Sequence, residues 1–169
     1  MGIGFQPVSD ESIRRALAER GIKGNIDEAI SMGHGNPAVV ESLLQQGTIA
    51  MLDLAIKWMQ TLGSDSRWFS KVAIWCESLT REDALDLMHW LRVVSRDMMA
   101  LKCGATNEQL RVPMHSTVLL KLLPHWPMAA LATVVHETLR AEQALRLHIK
   151  IALVVDGLSI ALHDAREEV

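Results

Sequence analysis

The sequence predicts an all-α protein: a small three-helix, lid-like unit followed by a helical bundle of about six helices. Three observations carry that expectation. Strong helix formers dominate, and the 10 Gly and 5 Pro fall mostly where apolar periodicities stop. Apolar residues recur at three- and four-residue spacing through most of the chain. One stretch, Thr80 to Gly104, reads as a single long amphipathic helix around which the rest must pack.

That stretch carries its own punctuation. Thr80 caps the start, Asp83 answers from three residues on, and Glu82 and Asp83 put acid where the helix dipole favours it. Ala84, Leu87, Met88, Leu91, Val94, Met98 and Leu101 form a stripe that Leu85, Trp90, Val93 and Met99 widen. Lys102 sits in the last turn, and Gly104 supplies the left-handed residue that ends it. Such a helix, about 36 Å long at 1.5 Å per residue, needs cover on more than one side.

The other elements follow in order. Phe5-Gln6-Pro7-Val8 is an extended lead-in, because proline biases its predecessor away from helix. Ser9 caps a helix through Arg20, with Ile13, Ala16 and Leu17 inward and Gly21 as its stop. Asn25 opens a second helix that ends near Gly33. Asn36 caps and Pro37 opens a third, running to about Gln46 and punctuated by Gly47. These make the first unit, residues 1–46. The second unit, residues 47–169, has longer and more apolar helices. Leu52, Ala55, Ile56, Met59 and Leu62 form one stripe with Trp58 at its flank, ended by Gly63. Ser64-Asp65-Ser66 caps the next, whose apolar face is Trp68, Phe69, Val72, Trp75, Cys76 and Leu79. After the long helix, residues 104–114 read as a polar loop and 115–123 as a short helix stopped by Pro124. Trp126-Pro127 opens another, with Met128, Leu131, Ala132, Val135 and Leu139 expected inward. Residues 148–162 admit a hairpin turned at Asp156-Gly157 or a helix with Ile151, Val154, Val155, Leu158, Ala161 and Leu162 in register. Two strands alone are marginal, so the expectation is helix, with a charged, frayed end from Asp164.

Composition narrows function. A net charge of −3 argues against a protein whose main work is gripping phosphate backbones. Arg14, Arg15, Arg20 and Lys23 make a local basic edge, read here as a solvated helix face. Cys76 and Cys103 fit reduced core thiols of a cytoplasmic protein. The first ten residues lack the basic start and apolar run of a signal peptide, and no apolar run approaches the ~20 residues that span a membrane. No Gly-rich phosphate loop occurs. The 7 histidines (His34, His89, His115, His125, His136, His148 and His163) show no i,i+4 pair and no His-Glu-x-x-His, so no metal or cofactor is expected. Cys76, set between Trp75 and Glu77, would be an inert buried thiol rather than a nucleophile. Trp126, just before Pro127, is the best candidate for an interface aromatic, with a plug at the end of the core as the equal alternative. The helices after Gly47 carry stripes wider than a one-sided bundle needs, which implies a buried central helix or an apolar face kept for a partner. The competing class is a small helical enzyme binding a metal or cofactor through its scattered histidines and Cys76.

The helix order and the lead-in Phe5-Gln6-Pro7-Val8-Ser9, the stop Gly21-Ile22, and Ala29-Ile30-Ser31 before Gly35-Asn36-Pro37-Ala38-Val39 resemble the lid domain of clamp-loader AAA+ subunits. The helices from Thr48 on resemble the collar domain that follows that lid, as in the delta-prime family of the bacterial DNA polymerase III clamp loader. The resemblance implies a non-catalytic C-terminal part of a larger subunit, with the ATPase core upstream of Met1 in a parent complex that carries the ATPase and nucleotidyltransferase activity. Motor subunits of the family carry a nucleotide-sensing arginine where this chain has Ala38, a departure that suits a subunit not using ATP. Before the last helix the family turn often carries Asn, whereas Leu147-His148 stand here. The implied partners are motor gamma/tau-like and delta-like siblings, met through the collar, with DNA engaged only through the complex and no membrane. The long and terminal helices are then expected to supply ring contact, with Trp126, Val155, Leu158 and Leu162 as interface residues.

Overall fold

The computed structural model describes residues 8–22, 24–33, 35–45, 48–64 and 67–167. Among them it is all-helical, without a strand. The chain divides into two units, Met1–Ala50 and Met51–Val169.

The first unit contains α1 (Asp10–Glu19), α2 (Ile26–Gly33) and α3 (Pro37–Gln45). Ser9 caps α1, its hydroxyl accepting from the Ser12 N–H, and Asp10 and Glu11 lie in the first turn. Gly21, at φ +67°, closes α1: its N–H donates to the Ala18 carbonyl and that of Ile22 to the Leu17 carbonyl. Asn36 caps α3 by accepting from the Ala38 N–H at 3.1 Å. Ile13, Leu17, Ala29, Ile30 and Val40 form the core, while Ala16, expected inward, faces solvent. A Cβ on Gly33 would lie 2.3 Å from the Val40 side chain, so only glycine lets α2 meet α3 there. The basic edge is partly neutralised: Arg14 pairs with Asp27, and Arg20 with Glu41 at 2.6 Å. Lys23 and the helix stop at Gln46-Gly47 lie outside the described residues.

The second unit holds α4 (Thr48–Ser64), α5 (Trp68–Ser78), α6 (Arg81–Lys102), α7 (Ser116–Leu122), α8 (Met128–Arg146) and α9 (Ile151–Glu167); α6 packs on α8 and α7, and α9 on α8 and α5. The capping box is present: Thr80 Oγ1 accepts from the Asp83 N–H at 3.1 Å, and the Asp83 carboxylate accepts from the Thr80 N–H at 2.9 Å. Gly104, at φ +84°, ends the helix. Ala84, Leu87, Met88, Trp90, Leu91, Val94 and Met98 are buried, whereas Leu85, Val93, Met99 and Leu101 at the edges of the stripe are half-buried. Ser64 ends α4 one residue past Gly63, and the proposed cap at Asp65-Ser66 lies outside the described residues. Residues 148–162 belong mostly to α9, a helix and not a hairpin, with Gly157 in its interior. His148 takes φ +61° in the turn before it, the left-handed position that ends α8.

Two polar devices hold the bundle. Asp97, fully buried on α6, accepts from the N–H groups of Arg111 at 2.7 Å and Val112 at 2.9 Å, and from Arg96 at 2.7 Å. It thereby anchors a polar loop whose Leu110 and Val112 enter the core. Glu142 on α8 accepts from Arg92 on α6 at 2.6 Å and Arg146 at 2.8 Å.

Asp97→Ala should cost about 3 kcal/mol in urea unfolding, because two buried N–H groups lose their acceptor; a cost below ~1 kcal/mol contradicts this role. The hydrogen bond from Arg146, then that from Arg92, holds the Glu142 carboxyl below its ordinary value against the opposing effect of burial. A lowered folded-state pKa contributes stability that is complete above the unfolded value and is lost as pH falls through the folded one. Glu142→Gln should therefore cost about 1 kcal/mol at pH 7, and that difference should vanish in acid. A difference that persists unchanged to pH 2 contradicts it.

Candidate functional site

None of the four interface residues named from sequence lies on the surface. Trp126 is 0% exposed, and its indole N–H donates to the Met59 carbonyl at 3.1 Å. Gly63 makes room for it: a Cβ there would stand 3.3 Å from the indole nitrogen. Trp126 is the plug of the core, not an interface aromatic. Val155, Leu158 and Leu162 are buried on the inner face of α9, beside Ser159, whose hydroxyl accepts from the Trp58 indole at 3.0 Å. The interface assigned to them is corrected: they hold the bundle together and are unavailable to a partner.

The surface carries other apolar groups. On α8, Met128 is 43% exposed and Leu139 48%, with Ala132 exposed and Val135 half-buried between them. These residues recur at three- and four-residue spacing and make one stripe. Four of the five residues expected inward on α8 are thus on or near its outer face, and only Leu131 is fully inside. The true inner face is Ala130, Leu131, Val134, Thr138, Ala141 and Leu145. Its small residues let α8 lie close to α6, close enough for the buried Ser95 hydroxyl to donate to the Leu131 carbonyl at 2.9 Å. Size-blind periodicity misses this, because larger apolar groups stand outside and smaller ones inside. The signal that finds it is the run of Ala and Thr at helical spacing.

Among the described residues no three His, Cys, Asp or Glu side chains converge to hold a metal ion. His163 stacks on Trp68 at 4.8 Å, and His89 meets Trp90 edge-on. Burial, then Arg92, pushes the His89 imidazole below its ordinary value. Burial, then the nearby Asp156 carboxylate, pushes the Cys76 thiol up to about 11. Cys103 departs from the expectation of a core thiol: it caps the end of α6 and is exposed. An open cleft of about 410 Å³ gathers Lys71, Lys121 and His125 with Gln60, Thr61 and Ser64, but no acid or thiol. Among the described residues no single helix is long and apolar enough to cross a membrane.

With an aromatic disulfide reagent at pH 8, the folded protein should release one equivalent rapidly, from Cys103, and react at Cys76 at least ~100-fold more slowly. Two rapid equivalents from folded protein contradict the burial of Cys76.

Compared with known family models, curated proteins and solved structures, the chain matches none.

Proposed function

We propose that this chain is a non-catalytic assembly module: the lid-like and collar-like C-terminal portion of a delta-prime-like clamp-loader subunit of bacterial DNA polymerase III. In this reading its collar-like unit docks with motor and delta-like siblings in the cytoplasm, and the assembled ring loads sliding clamps during replication. DNA is met only through the complex. The observation that carries the proposal is the outer stripe of α8, where Met128, Ala132 and Leu139 are exposed at helical spacing on a helix whose other face is already packed. Large apolar groups in such a row cost solubility and fit the core of a protein interface.

Further support comes from organisation. Short capped helices precede a bundle built on one long helix, the order from which the resemblance was read. Ala38, in the place of the family's nucleotide-sensing arginine, is an exposed first-turn residue of α3 and offers no charge to a γ-phosphate. The alternative of a metal- or cofactor-binding enzyme has no converging set of ligands to favour it among the described residues.

Two substitutions test the surface. Leu139→Asp, on the outer face, should leave thermal stability within about 3 °C of the parent and abolish co-elution with partner collar domains. Leu158→Asp, at 3% exposure, should instead cost about 4 kcal/mol or more and unfold the chain. Co-elution that survives Leu139→Asp removes the α8 stripe from the proposal.

A further inference from the structure

Two of the charges at the ends of helix α9, Lys150 and Asp164, stand against its own dipole. Lys150 stands at its start, where the Lys150 carbonyl accepts from the Val154 N–H, and no acid occupies the first turn. Asp164 and Glu167, both exposed, stand at the other end, where Arg166 in the last turn pairs with Glu167 and leaves Asp164 as the uncompensated acid of the outward stripe. A helix alone favours acid first and base last, so Lys150 and Asp164 are each placed at some cost to the isolated chain. Ala152 apart, the exposed residues between the two ends are Leu153 (66%), Gly157 and Ile160 (45%). With Lys150 and Asp164 they fall at intervals of three and four, so all five share one outward stripe. Gly157 is its middle: a Cβ there would meet nothing within 4 Å, so this is a bare point where another backbone can come close. Lys150 and Asp164 each lie seven residues from it, about 10 Å along the axis.

We propose that this face pairs with the same face of a second copy of this chain, the two α9 helices antiparallel about a twofold axis at Gly157. Pairing of that kind sets each residue against the one equally far on the other side of Gly157. Lys150 of each copy then faces Asp164 of the other, forming the charge pair twice. Ile160 of each copy comes level with Val154 of the other, at the mouth of a groove of about 320 Å³ between α8 and α9 floored by Ala141 and Ala144. The groove's charged rim pairs within its own chain, Arg140 to Glu137 at 3.1 Å, so it adds no repulsion. Asp164 also lies 3.7 Å from the His163 imidazole. The charge pattern selects this occupant. A parallel pair would set lysine on lysine and acid on acid, and an anionic lipid surface would repel the Asp164 end. Each dipole mismatch is offset by the opposite charge of the second copy. The stripe lies on α9, apart from the outer face of α8, so the pairing stands independently of the clamp-loader reading.

A contact of one helix with its twin lies at the small end of interfaces, which sets the dissociation constant in the range of roughly tens of micromolar. Sedimentation equilibrium of the full chain, from about 1 to about 500 µM, reads it directly. The parent should show a reversible monomer–dimer equilibrium that weakens with salt. Lys150→Glu and Asp164→Lys should each weaken the dimer by about tenfold, and the double variant should return to within about threefold of the parent. Each single reversal also corrects the charge on its own helix dipole, so the monomer's thermal stability should hold or rise while the dimer weakens. Loss of dimer therefore cannot come from misfolding. Ile160→Asp should leave only monomer. A parent chain that stays monomeric at the highest concentration overturns the proposal. So does a dimer unmoved by either single reversal, or a double variant that fails to recover.

Discussion

The fold of the second unit follows from one constraint: α6 has apolar side chains around more of its circumference than a surface helix can leave wet. Leu87, Met88, Leu91, Val94 and Met98 are each 0% exposed, and Trp90 nearly so. Enclosing them calls for neighbours on several sides. The chain supplies α8 along one flank and α7 on another, while α9 bridges α8 and α5. Even the linking turns are recruited: the Arg81 guanidinium at the head of α6 donates to the Leu145 carbonyl at the end of α8 and to that of Ile149 beyond it. Asp97 works the same way at the far end, converting a polar loop into a lid over the core.

What could be read in advance were the signals that act locally. Thr80 with Asp83, Ser9, Asn36 with Pro37, and Gly21 and Gly104 mark helix ends through hydrogen bonds within a few residues, and the structure has them in those roles. The terminal helix was likewise legible, because helical spacing in 151–162 outweighed its β-branched content. What depends on tertiary packing was not. On α8 two apolar stripes compete, and the choice between them rests on how near α6 comes, which favours Ala130, Thr138 and Ala141 inside over Met128 and Leu139. On α9 the same ambiguity hid Leu153 and Ile160 and put Val155, Leu158 and Leu162 on the wrong side. Trp126 was undecidable locally, since its burial depends on the gap left by Gly63, more than 60 residues earlier. Asp97 passed unnoticed because a single acid in an apolar helix looks solvated until its loop partners are in place.

The corrected positions change the functional reading more than they weaken it. Four residues chosen as partner contacts turn out to be structural, and the apolar residues thought structural on α8 are the ones left outside. The surplus of apolar surface therefore survives as an idea while moving to different residues. Cys76 is buried, His163 and His89 rest against aromatic rings, and Arg92 ties to Glu142 within the bundle. The exposed apolar residues on the outer face of α8 are what the proposed docking rests on.

The central claim is that the outer stripe of α8 is covered by a sibling subunit, and carbene footprinting with residue-level mass spectrometry addresses it most directly. In the chain alone, Met128 and Leu139 should be labelled heavily and Leu131 and Val134 hardly at all. On adding the partner collar domains, labelling at Met128 and Leu139 should fall several-fold while exposed Phe69 and Ile74 on α5 keep theirs. Labelling of Met128 and Leu139 that stays the same with and without those partners would contradict the account.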